Sequence, residues 1–147
     1  MNVASDNKVG TSLGFRYDAD NTVWVKGTYT NDGVAKTPMC VQIIATGYGF
    51  TDLADNTNRY MLGVPDKAYA TGVEGWIQVG GPCDDVITPS LAVAAGDAFG
   101  ITDGALVDAA TAYVGTTTQF AICRTTSASA ATTQDMLLVP VVALAAT

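Results

Sequence analysis

Histidine is absent from the 147 residues, which removes the commonest general base and the commonest metal ligand. Nucleophilic catalysis would then need a Ser-Lys or Cys-Lys pair, and acid–base work a pair of carboxylates. Ser5, Ser12, Ser90, Ser127 and Ser129 lie in polar segments, and no Gly-x-Ser-x-Gly elbow occurs. Asp84-Asp85 and Asp52/Asp55 are the candidate carboxylate pairs. Adjacent residues point to opposite sides of a strand, and Asp84-Asp85 follows Gly80-Gly81-Pro82-Cys83, so a solvated turn is its expected home.

Asp18-Ala19-Asp20-Asn21 places three oxygen ligands in four residues, the density that calcium favours. The remainder of an EF-hand loop is missing, and a tight Asp/Asn turn accounts for the same residues. Gly47-Tyr48-Gly49 and Gly80-Gly81 lack the helix and lysine that would cradle a phosphate. Cys40, Cys83 and Cys123 are odd in number and show no Cys-x-x-Cys spacing. Cys40 and Cys123 sit in the apolar runs MCVQII and FAIC and read as buried small hydrophobes, whose reduced thiols fit synthesis in a cytosol. Trp24 and Trp76, with six tyrosines, offer a stacking platform for sugar rings, although core packing explains most aromatics. No catalytic residue, cofactor or metal is expected.

Composition narrows the partners. A net charge of −7, with no two of the seven basic residues closer than eight positions, argues against nucleic acid. Charged residues make up 14%, against about 25–35% on the surface of a well-behaved soluble monomer. A surface so poor in charge points to burial against other chains. The first residues, MNVASDNKVG, show no signal peptide, and the apolar stretch 136–147 is interrupted by Pro140 and is too short for a membrane span of about 20 residues.

The elements that must position any site read as strands. Leu13 to Tyr17 and Thr22 to Thr30 form a hairpin around 18–21, with Val23, Val25, Gly27 and Tyr29 on one face and Trp24, Lys26, Thr28 and Thr30 on the other. Met39 to Thr46 reads as a strand buried on both sides, 47–58 as a long loop, and 59–64 as a short strand. Glu74 to Val79 is a strand closed by Gly80-Gly81-Pro82, with brief pairing at 86–88. Ala98 to Ile101 and Ala105 to Val107 flank a hairpin turn at Asp103-Gly104. Phe120 to Thr125 and Asp135 to Leu144 complete the set, and 126–133 is the best helix candidate. About eight to eleven short strands at this spacing predict an all-β fold: a single-domain antiparallel β-barrel or β-sandwich spanning 13–147, with an extended N-terminal arm over 1–12.

The run Gly72-Val73-Glu74-Gly75-Trp76-Ile77-Gln78-Val79-Gly80-Gly81-Pro82 resembles a strand of the head-decoration (cement) proteins of tailed bacteriophages. In that family an Ala-Gly-Asp turn follows, here Ala95-Gly96-Asp97, then a strand near Gln119-Phe120-Ala121-Ile122 and a final Val-x-Val strand, here Val139-Pro140-Val141. The resemblance covers about residues 72–142. It implies a β-barrel or β-sandwich without enzymatic activity, bound to the outside of an icosahedral shell. The implied partners are the major capsid protein and further copies of the chain, as a trimer or else a dimer, with no nucleic acid or membrane. The implied location is the virion's outer surface, after synthesis in the host cytoplasm. On the physics of exposed arms and edges, Asn2, Val3, Asn7 and Lys8, with Tyr48, Phe50, Asp52 and Leu53, are the expected contacts. The rival expectation is a carbohydrate-binding or adhesin-type β-sandwich module.

Overall fold

The computed structural model describes residues 14–53, 61–102, 105–108, 121–127 and 131–139. Among them are ten strands and no helix: β1 (Gly14–Tyr17), β2 (Val23–Tyr29), β3 (Met39–Ile44), β4 (Gly47–Asp52), β5 (Met61–Gly63), β6 (Glu74–Ile87), β7 (Ala98–Thr102), β8 (Ala105–Asp108), β9 (Ala121–Cys123) and β10 (Thr133–Leu138). They form one curled mixed sheet in the order β5-β3-β4-β2-β6-β10-β9-β7-β8, with β1 added to β2. The fold is all-β, as the turn spacing predicts.

The sheet has two halves because β6 changes partners midway. Its first half pairs with β2 and its second with β10. In the first half the curl is tight. Val64, just after β5, exchanges hydrogen bonds of 2.9 and 3.1 Å with Gln78 of β6, so the ring β6-β2-β4-β3-β5 closes. Closure removes two sheet edges that would otherwise present unpaired N–H and C=O groups. Inside this barrel lie Val25, Tyr29, Met39, Val41, Phe50, Met61, Ile77 and Val79. Tyr29 is its centre. The ring stacks on Tyr69 at 4.3 Å, meets Phe50 edge-on at 4.9 Å, and its hydroxyl donates to the Trp76 carbonyl at 2.9 Å.

The second half, β6-β10-β9-β7-β8, lies against the outside of the barrel. Cys40, Leu62 and Val64 face outward from the ring and join Cys83, Val86, Phe99, Ile101, Leu106, Cys123, Met136 and Leu138 in a second core. β3 and β5 therefore separate two cores. The continuous apolar run Met39-Cys40-Val41 is the sequence signature of that position, since both of its faces are buried. The expectation of a doubly buried strand as far as Thr46 fails beyond Val41: Ile43 is 61% exposed, β3 ends at Ile44, and 45–46 are an exposed turn.

Several expectations need correction. Residues 47–52 are strand, not loop: a turn at 45–46 and Gly47 (φ 130°) fold the chain back so that Gly49 opposes Gln42 and Phe50 opposes Val41. Gly49, which reads as loop punctuation, packs closely instead, since a Cβ there would lie 2.9 Å from Ile44 Cγ2. A Cβ on Gly27 would lie 2.5 Å from the Tyr48 carbonyl. The sheet is not purely antiparallel, because β2 and β4 run parallel through Thr28–Gly49 and Tyr29–Phe50. Gly80-Gly81-Pro82 does not end a strand. β6 passes through it with bulges opposite Val23/Trp24 and opposite Gln134/Met136, and Gln78 Nε2 donates to the carbonyls of Gly80 (3.1 Å) and Pro82 (2.7 Å).

β1 and β2 form the expected hairpin, with Tyr17 opposite Val23, and β2 alternates as predicted. Thr102 opposes Ala105, and the expected turn residues 103–104 between them lie outside the described residues. In the helix candidate 126–133, Ser127 bridges Val93 and β10 begins at Thr133, so its described residues are not helical. The arm 1–12 and the terminal run 140–147 lie outside the described residues.

Candidate functional site

The outer face of the second half-sheet departs most from what alternation requires. In β10 and β9 the inward side chains Met136, Leu138, Ala121 and Cys123 are buried, so their neighbours should be polar. Instead Leu137 and Ile122 point outward, 38% and 37% exposed. Register places them side by side: Pro82 of β6 opposes Leu137, Leu137 opposes Ile122, and Ile122 opposes Ala98 of β7. The result is an apolar row across four strands.

One flank of the row is charged. The bulge in β6 turns both Asp84 and Asp85 to solvent, with Asp85 at φ 56°. Asp84 pairs with Arg124. The Asp85 N–H donates to Asp135 Oδ1 at 3.2 Å, and Thr125 Oγ1 donates to Asp135 Oδ2 at 3.3 Å. The expected turn is thus a strand bulge. Arg124 engages the Asp84 carboxylate, the amide and hydroxyl engage that of Asp135 on β10, and among the described residues no cluster of three His, Cys, Asp or Glu has a metal-binding arrangement.

The turn at 18–21 is likewise satisfied from within. Asp20 Oδ1 accepts from the Thr22 N–H at 3.1 Å and from Thr22 Oγ1 at 2.5 Å, and these bonds hold its carboxyl below the ordinary range. Asp18 Oδ1 lies 3.1 Å from Arg16 Nε, an ion pair whose angle is too oblique for a hydrogen bond.

Trp24 and Trp76 do share a surface, outside β2 and β6. Between them lies Arg16, its guanidinium carbon 4.8 Å from one indole centroid and 5.1 Å from the other. The cation occupies the faces on which a sugar would stack. Arg16→Ala should lower stability by about 1–2 kcal/mol, from two cation–π contacts of roughly 0.5–1 kcal/mol each. Tryptophan emission should shift in the native state, and unchanged emission and unfolding midpoint would refute the stack.

Of the contact residues expected from sequence, Asn2, Val3, Asn7 and Lys8 lie outside the described residues. Phe50 is a barrel-core residue, with no surface to offer another molecule, because β4 points it inward against Tyr29. Tyr48 is half-buried against the same core, and burial pushes its hydroxyl pKa up. Asp52 is exposed at the end of β4, and Leu53 packs on the second core. The structure therefore does not gather these four into one patch. Leu137 and Ile122 were the residues to single out. The unbroken apolar run at 136–139, without a polar residue at every second place, carried the signal.

All three cysteines are buried in the second core. Burial pushes the Cys83 thiol pKa up to about 11. A raised pKa favours the neutral thiol in the fold, so the contribution is intact below pH 9 and is lost as pH rises toward 11. Stability should fall by about 2–3 kcal/mol across that window from this group. Cys83→Ala should flatten the fall in urea titrations between pH 8 and 11, and an unchanged slope would assign it to other groups.

No family model, curated protein or solved structure matches the chain.

Proposed function

We propose that the chain is a decoration protein of a tailed-bacteriophage head, which binds the outside of the shell and ties neighbouring capsid subunits together. The observation that carries this reading is the row Pro82-Leu137-Ile122-Ala98 across four neighbouring strands, with Leu137 and Ile122 exposed. Apolar residues aligned across a sheet and kept at the surface mark a face made to meet another protein. The stretch that resembles decoration proteins supplies β6, β7, β9 and β10, the four strands bearing the row. Its Ala-Gly-Asp element is a tight turn: Asp97 N–H donates to the Ala94 carbonyl at 3.0 Å, Asp97 Oδ2 accepts from the Ala94 N–H at 2.7 Å, and Gly96 takes φ 96°. That turn also pairs with Cys123 through bonds of 2.9 and 2.7 Å, which fixes the outward direction of Ile122. Many copies on one shell act together, so a modest face on each suffices.

The rival reading, a sugar-binding module, needs Trp24 and Trp76 open to a ligand, and Arg16 fills the space between them.

Co-sedimentation with expanded, undecorated shells of the phage whose genome encodes the chain tests the proposal. Saturable binding at a fixed ratio to the capsid subunit is expected. Leu137→Asp should weaken it by at least about tenfold, the scale of a loss of 1.4 kcal/mol. Failure of the folded wild-type protein to bind would overturn the reading.

A further inference from the structure

We propose that the cleft between the barrel and the second half-sheet receives aliphatic side chains from residues 140–147 of a second copy of this chain. The inference stands independently of shell binding. The cleft has a volume of about 260 Å³. Thr37 and Pro38, ahead of β3, form one wall, and Leu53, Ile87, Pro89 and Leu106 form the others. Ile87 stands at its mouth, 43% exposed.

The cleft also holds an unmet polar group. Thr88 lines it and is only 5% exposed, yet its Oγ1 has no hydrogen-bond partner. The Thr88 N–H is satisfied by the Thr132 carbonyl, so the side chain alone is wanting. A buried hydroxyl left unpaired is costly, and natural sites rarely tolerate one. A purely apolar occupant would cover the walls and leave that cost in place. An extended peptide supplies both requirements, with aliphatic side chains for the walls and backbone N–H and C=O groups for the hydroxyl.

Pro140-Val-Val-Ala-Leu-Ala-Ala-Thr147 has this chemistry, with no charged side chain and aliphatic residues at every position but the last. Geometry argues for the segment of another copy. β10 leaves its sheet at Leu138, opposite Gly81, whereas the cleft is at the Ile87 end, opposite Thr133. Those points are about 20 Å apart along β6 at roughly 3.3 Å per residue. β10 is hydrogen-bonded on one side to β6 and on the other to β9, so no lane remains within the sheet for a return. Eight residues reach at most about 26–29 Å, which a reversal and a detour around the sheet would consume. A neighbouring copy meets no such constraint. Donor and acceptor are different surfaces, so the exchange is head-to-tail and closes into a ring when the rotation permits.

The test uses the full-length protein. Sedimentation velocity across a concentration series should show a wild-type oligomer. Ile87→Asp at the mouth and Leu144→Asp in the segment should each raise its dissociation constant by at least about tenfold. The double variant should be no worse than the weaker single one, because both remove the same contact. Circular dichroism of each variant checks that the strands are intact. Pro89→Cys with Leu144→Cys should then form a disulfide between chains on mild oxidation. A wild-type monomer at all concentrations overturns the proposal. So does a disulfide within one chain, or single variants whose effects simply add.

Discussion

Tyr29→Ala is expected to lower the unfolding free energy by about 3–5 kcal/mol, the range for removing a large aromatic side chain from a core. The upper part of that range applies because the ring serves several neighbours. It fills the barrel between Phe50 and Tyr69, and it lies over Gly33, where a Cβ would come within 2.5 Å of its edge. Gly33 and Gly75 have no side chains with which to refill the space, and a cavity that cannot collapse is the costly kind. Tyr29→Phe separates packing from hydrogen bonding. It leaves the ring and strands the Trp76 carbonyl, so about 1 kcal/mol should be lost. Urea denaturation followed by tryptophan emission measures both. A Tyr29→Ala loss no larger than that of Tyr29→Phe would mean that the ring is not the centre of the barrel.

Gly81→Ala is expected to cost about 2–5 kcal/mol, from a left-handed residue at roughly 1–2 kcal/mol and overpacking at roughly 1–3 kcal/mol. Gly81 has φ 84°, and a Cβ there would collide with the carbonyl of Asn21, in the turn between β1 and β2. Backbone cannot rotate away as a side-chain tip can. The control is Gly72→Ala. Its φ of 85° is nearly the same, but no atom lies within 4 Å, so only the conformational cost of about 1 kcal/mol should appear. Equal losses at the two sites, measured by the same denaturation, would show that the turn does not rest on Gly81.

These two positions also mark where the sequence is legible. The alternation of β2 was readable because one face is core and the other water, so hydrophobicity reports direction. The run Met39-Cys40-Val41 was readable as doubly buried for the converse reason. β4 was not readable. Gly47 is there for its φ of 130° and Gly49 for close packing against Ile44, and neither need leaves a mark distinct from a loop. Gly80-Gly81-Pro82 misleads in a related way: it bends β6 between two partners, and local chemistry cannot tell a bend from an end. The parallel pairing of β2 with β4 depends on a third strand, β3, returning the chain, which no local pattern encodes. As for the candidate face, its residues were visible as an apolar run, but whether Leu137 turned inward or outward depended on the register with β6 and β9. The cleft was invisible, because its walls come from four separate places in the chain.

The division of β6 between two partners sets an order of events during synthesis. Every strand of the closed ring lies between Val23 and Gly80, so the barrel can form as soon as the first half of β6 has left the ribosome. The second half of β6 must then wait for β10, which begins at Thr133. Until then the stretch from Gly81 to Ile87 is a bare strand beside a finished barrel, and Cys40, Leu62 and Val64 have no cover. Long-range pairing of this kind is slow to form. Nascent chains that stall in this interval carry both a sticky edge and an apolar flank, the condition under which polypeptides capture one another instead of themselves.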